Sequence, residues 1–184
     1  MIPSVSEALV IVDYQNDFAS PDGALSVRGG EDIAERINEL ARSGGFDLVV
    51  ATRDWHPPDH SSFEEQGGTW PVHCVQGTPG AELHPALDQS AVDIVFDKGQ
   101  NQSTDGYSAF ETDELGEILR DREIDNITVV GLATDVCVKN TALDGLKEGF
   151  GVRVDSRAAR GVDLQPGDSD RALDEVRGAG GQVT

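Results

Sequence analysis

One cysteine sits where a thiol could act. Cys137 lies in Gly131-Leu132-Ala133-Thr134-Asp135-Val136-Cys137-Val138, just after an apolar run and at the start of a helical pattern. The first turn of a helix offers free N–H groups and a partial positive charge, which favour a thiolate and an oxyanion. A small buried residue on an apolar helix face is the plainer alternative, since cysteine is often buried. Asp13 follows the hydrophobic run 8–12, and Lys98 follows 92–96 through Asp97. Taken singly, these read as a turn aspartate and a solvated lysine. Taken with the cysteine, they supply a thiol to attack, a carboxylate to take its proton and return it to a leaving amine, and an ammonium to keep the two anions from repelling each other. A second group is Asp54-Trp55-His56, followed by His60 and by Trp70-Pro71-Val72-His73. Mixed nitrogen and oxygen donors suit Zn, Fe or Mn rather than Ca. His84 lies beyond this cluster and reads as structural or exposed. Neither Cys74 nor Cys137 belongs to a CxxC pair, so both read as thiols and a thiol-rich zinc knuckle is excluded.

These residues need a scaffold that brings them together. Residues 8–12 read as a buried strand. Residues 31–42 read as a helix, with Ile33, Ile37, Leu40 and Ala41 on one face and Gly44-Gly45 as its stop. A second strand is expected over 46–51. The stretch 52–84 is irregular and rich in Pro, Gly and His, and loops of that length are usually functional. A strand at 92–96, a helix at 111–122, a strand at 126–132, a helix at 135–148, a strand at 151–154 and a helix at 168–177 follow. Asp168 or Ser169 is the expected cap of the last helix. The alternation predicts a single domain, 1–184, of α/β class: three layers, α/β/α, around a mostly parallel central sheet of Rossmann-like type. Ligands bind such sheets at the carboxyl ends of the strands. Asp13, Arg53-Asp54, Asp97-Lys98 and residues 134–137 all follow predicted strand ends, which places them on one edge.

The charge narrows the partners. With 34 acidic against 14 basic residues, the chain carries a net charge of −20. Nucleic acid and anionic membranes would be repelled. The acids are scattered, with Arg outnumbering Lys, as in acidic shells adapted to concentrated salt. No apolar run approaches a membrane span, and no signal peptide is read, so the expected compartment is the cytoplasm. An exposed helix face leaves room for a homo-oligomer.

The stretches Val12-Asp13-Tyr14-Gln15-Asn16-Asp17-Phe18, Thr52-Arg53-Asp54-Trp55-His56-Pro57, Trp70-Pro71-Val72-His73-Cys74-Val75-Gln76-Gly77-Thr78, Lys98-Gly99, Tyr107-Ser108-Ala109-Phe110 and 131–138 resemble, in order, the isochorismatase-like hydrolases of nicotinamidase/pyrazinamidase type. The resemblance implies a triad of Asp13, Lys98 and Cys137. It implies one divalent metal, zinc first with iron or manganese as alternatives, held by Asp54, His56 and His73. Some members add a fourth ligand at the position His60 matches, with Glu64 an outside candidate. It also implies a cis peptide before Ala133, an oxyanion hole from the N–H groups of Ala133 and Cys137, and aromatic walls at Phe18, Trp70 and Tyr107. The implied reaction converts nicotinamide to nicotinate and ammonia in NAD salvage, with pyrazinamide as a near-isosteric substrate. Isochorismate hydrolysis would need neither the thiol nor the metal cluster. A carbamoyl-amide hydrolase would keep the triad without the His-rich loop. A non-catalytic metal-binding domain would not need an intact triad.

Overall fold

The structure is a computed structural model that describes residues 5–184. The chain alternates β1 (Glu7–Val12), a short α1 (Asn16–Ala19), α2 (Ala34–Arg42), β2 (Leu48–Asp54), β3 (Ile94–Lys98), α3 (Glu114–Asp121), β4 (Asn126–Leu132), α4 (Lys139–Lys147), β5 (Gly151–Arg160), α5 (Asp168–Gly178) and β6 (Gln182–Val183). The strands form one sheet in the order β3-β2-β1-β4-β5-β6, and every neighbouring pair is parallel. This is the three-layer α/β architecture expected from the alternation. Its central strand is apolar on both faces because both are covered. Ala8, Val10 and Val12 enter one core with Leu115 and Leu119 of α3, Ala142 of α4 and Val176 of α5. Leu9 and Ile11 enter the other with Phe18 of α1 and Ile37 of α2. The strand order runs outward one way from β1 to β3 and the other way from β4 to β6. Succession therefore reverses between β1 and β4, where such folds open a crevice at the carboxyl ends. Gly131 lets those two strands close up: at φ +111, a Cβ there would lie 2.2 Å from the Val12 carbonyl oxygen.

Several element boundaries differ from the sequence expectation. β2 runs on to Asp54 and β3 to Lys98, so these two residues end their strands rather than follow them. They are register partners, which sets carboxylate and amine side by side. The helix expected over 31–42 starts with a tight 3-10 turn, Gly30–Ile33, before α2. The helix expected from 111 begins only at Glu114. Thr134–Val138 is a π-helical turn that precedes α4. Neither Asp168 nor Ser169 caps α5. Its N-cap is the left-handed Gly167, while the Asp168 carboxylate accepts from the Gln165 N–H and pairs with Arg171. Among the described residues, no helix is long and apolar enough to cross a membrane.

Candidate active site

Asp13 is the first residue beyond β1, and its left-handed backbone (φ +50) turns the chain away from the sheet. Its side chain is fully buried. One carboxylate oxygen accepts from the Thr52 hydroxyl at 2.8 Å, and the other accepts from Lys98 Nζ at 2.8 Å. Lys98 also donates to Asp54 Oδ1 at 2.6 Å and to the Gly106 carbonyl, and it lies 3.6 Å from Cys137 Sγ. Cys137 comes from the π-helical turn across the β1–β4 crevice, and the Leu132–Ala133 peptide bond entering that turn is cis. The thiol and the carboxylates of Asp13 and Asp54 each offer an atom within 4.8 Å of the others. Three stretches far apart in sequence thus meet at one ammonium.

Burial dominates the electrostatics. It raises the Asp13 carboxyl, Asp54 raises it further, and Lys98 and Thr52 only partly oppose this, leaving it at about 6. Burial pushes the Cys137 thiol well above its ordinary value, with Asp13 and Asp54 reinforcing the rise against Lys98. Sequence alone pointed to a thiolate at a helix start. Here burial outweighs the Lys98 ammonium, so the thiol keeps its proton until a base removes it. For Lys98, burial favours the neutral amine, but Asp13, Asp54 and Cys137 overcome it and hold the ammonium well above its ordinary range.

Beside this cluster, Asp54, His56 and His73 present three buried ligand atoms within 4.8 Å of one another. His56 Nδ1 bonds to the Gly99 carbonyl at 2.8 Å, and His73 Nδ1 bonds to the Pro71 carbonyl at 2.7 Å. A carbonyl can only accept, so both Nδ1 atoms carry protons and each Nε2 is the atom left to face a cation; His56 Nε2 lies 3.4 Å from Asp54 Oδ2, a contact that a bound cation would replace. One carboxylate and two imidazoles fit a borderline divalent ion with an open coordination position. Burial pushes His73 down. Burial would raise Asp54, but Lys98 and the His56 hydrogen bond hold it below the usual carboxylate range. His60 does not join the group. Its ring stacks on His56 at 3.8 Å, its Nδ1 accepts from the Ser62 N–H, and its Nε2 bonds to the Thr104 carbonyl at 2.7 Å. Both nitrogens are committed, so no lone pair is left for a metal. Glu64 lies exposed on the short turn Glu64–Gln66.

A pocket enclosing about 440 Å³, open mouth included, joins the thiol to the His cluster. Phe18, Trp70 and Tyr107 line it, as do Ala133 and Cys137, with Leu25, Val27 and Val162 completing an apolar wall. Trp70 Nε1 donates to the Tyr107 hydroxyl at 3.3 Å, tying two loops together over the pocket. Such a slot suits a flat ring.

Sequence reasoning missed the supports. Gln15 brackets Asp54 by donating to its carbonyl and accepting from its N–H, at 2.8 and 2.9 Å. Asp17 accepts from the Cys74 N–H next to His73 at 2.8 Å. Thr52 steadies Asp13, and the Gly106 carbonyl steadies Lys98. Gln15 and Asp17 fall inside a motif quoted from sequence, but nothing in their spacing reveals which backbone group each would grip.

Residues 7–184 match the isochorismatase domain family. The chain is 44% identical to a nicotinamidase of Escherichia coli, over 94% of this chain and 92% of that protein. A protein of L. infantum, solved in complex with nicotinate, superposes with a TM-score of 0.93 at 37% identity, covering 100% of this chain and 94% of the other. A pyrazinamidase of Pyrococcus horikoshii, solved in complex with zinc, superposes with a TM-score of 0.88 at 44% identity, covering 97% and 98%.

Proposed function

The chain belongs to the isochorismatase domain family, and from that premise we infer that it hydrolyses nicotinamide to nicotinate and ammonia. It is a hydrolase acting on a carboxamide C–N bond. The observation that carries this reading is the single buried ammonium of Lys98, which reaches Asp13, Asp54 and Cys137 at once beside an apolar slot.

In the proposed mechanism the pyridine ring lies between Phe18, Trp70 and Tyr107, with its carboxamide toward Cys137. Asp13 takes the thiol proton as the sulfur attacks the amide carbon and a C–S bond forms. The N–H groups of Ala133 and Cys137 hold the developing oxyanion. The C–N bond then breaks, and Asp13 returns the proton to the departing ammonia. A water next attacks the thioester, giving its proton to Asp13. The C–S bond breaks, the sulfur recovers a proton, and nicotinate leaves. Lys98 stays charged throughout and offsets whichever of Asp13 or the sulfur is anionic. Asp54, His56 and His73 would hold the divalent metal, zinc by preference for this donor set. Bound there, such an ion would supply Lewis acidity next to the pocket.

Pyrazinamide, which differs by one ring nitrogen, should be accepted by the same slot. Nicotinate as product supports reading the reaction as a step of NAD salvage. The acidic shell reads as an adaptation to concentrated salt: melting temperature should climb between dilute and molar KCl, and a flat response would rule that out. The test of the activity is ammonia release from nicotinamide by zinc-loaded protein. Stoichiometric nicotinate supports the reading, and absence of turnover defeats it.

A further inference from the structure

We propose that Glu111 is a positioning residue for the metal centre, gripping the peptide that orients His56. The inference rests on the metal-binding reading above. The Glu111 carboxylate accepts from the Gly99 N–H at 2.7 Å, and the carbonyl of the same Gly99 accepts from His56 Nδ1 at 2.8 Å. Carboxylate, glycine and imidazole thus form a relay that ends at the Nε2 atom grouped with the ligand atoms of Asp54 and His73. Carbonyls that fix a ligating imidazole are tuned by their own partners in turn.

Three further features point the same way. First, the close approach of Gly99 to the ring excludes any side chain. At φ +62, a Cβ on Gly99 would meet His56 Cε1 at 2.5 Å and Nδ1 at 2.7 Å. Gly106 packs against Gly99 beside the same ring, and a Cβ on it would lie 2.8 Å from the Gly99 Cα and 3.4 Å from His56 Cε1. Second, Glu111 reaches Gly99 from a rigid base. It sits in the turn before α3, where its own N–H donates to the Ser108 carbonyl at 3.2 Å and the Ala109 N–H donates to Thr141 of α4 at 3.0 Å. Third, its second carboxylate oxygen is buried without a hydrogen-bond partner among the described residues. A carboxylate kept half-satisfied next to a metal pocket costs stability, and a positioning role gives that cost a purpose. Gln15 and Asp17 already grip the backbone at Asp54 and beside His73. With Glu111, each of the three ligands has a side chain that fixes it.

The test measures Zn²⁺ binding to the full, zinc-stripped chain by competition with a chromophoric chelator, together with the melting temperature of each zinc-free protein. E111A should bind zinc about 10- to 100-fold more weakly than wild type. E111Q retains the acceptor oxygen and should restore affinity to within about threefold, and E111D, too short to reach, should not. Wild-type affinity in a folded E111A would overturn the proposal. So would equal losses in E111Q and E111D, a comparison that holds even if E111A fails to fold. A wild-type protein that binds no zinc would instead overturn the metal-binding reading itself.

Discussion

Replacing Lys98 with methionine keeps the aliphatic stem and removes the charge, so it isolates what the ammonium does. In the native site Lys98 bonds two carboxylates, Asp13 at 2.8 Å and Asp54 at 2.6 Å, both almost wholly buried. Removing the shared cation leaves the Asp54 carboxylate uncompensated against the Asp13 carboxyl, away from water. Breaking a buried pair in this way costs about 3–5 kcal/mol. At about 2–4 °C per kcal/mol for a domain of this size, the melting temperature should fall by roughly 6–20 °C. The pH dependence gives a sharper test. In wild type, the Asp13 carboxyl sits at about 6, above its ordinary 3.8, so its contribution to stability is complete below 3.8 and lost as pH rises through 6. The Lys98 contribution runs in the same direction but over a higher range. Its folded value is raised, so it is fully present at neutral pH and lost only above its ordinary 10.5. Without Lys98, Asp13 should hold its proton past neutrality. The variant then keeps losing stability as pH rises, at about 1.4 kcal/mol per unit for one retained proton. The deficit relative to wild type should therefore widen by about 1 kcal/mol between pH 6 and 7. Urea unfolding of matched zinc-free proteins at both pH values measures it. A variant as stable as wild type at pH 7, or a deficit that shrinks as pH rises, would refute the reasoning.

Other consequences are equally direct. The acid limb of kcat/KM should fall through about pH 6, because Asp13 must be ionised to take the thiol proton. Asp13→Asn should lower kcat by about 10²- to 10⁴-fold and erase that limb, and an unchanged limb would assign it to another group. Trp70→Ala removes one wall and the bond to Tyr107, so KM for nicotinamide should rise about tenfold with a smaller change in kcat. His60→Gln should leave zinc stoichiometry intact, whereas His73→Ala should abolish tight binding; elemental analysis of the purified proteins distinguishes the two.

The apolar runs were legible because β1, β2 and β4 are covered on both faces and carry unbroken hydrophobic sequence. The helix 111–122 misled because its first residues look helical. Their backbone instead folds into a turn around Ser108, which frees Glu111 to reach Gly99. β6 escaped notice, since two residues at the sheet edge leave no periodic signal. The meeting of Asp13, Lys98 and Cys137 could be guessed from chemistry and strand ends. The pairing of Lys98 with Asp54 could not, because it follows from a register that sequence does not fix. His60 shows a different limit. Its place in a His-rich loop makes it a candidate ligand, but Ser62 beside it and Thr104 far along the chain claim both of its nitrogens.

The most direct test of the account is to quench zinc-loaded protein with acid during nicotinamide turnover and map the peptides by mass. A nicotinoyl thioester confined to the peptide containing Cys137, and absent from Cys137→Ala, is the predicted result. Undiminished ammonia release by Cys137→Ala, or acylation found only at Cys74, would contradict it.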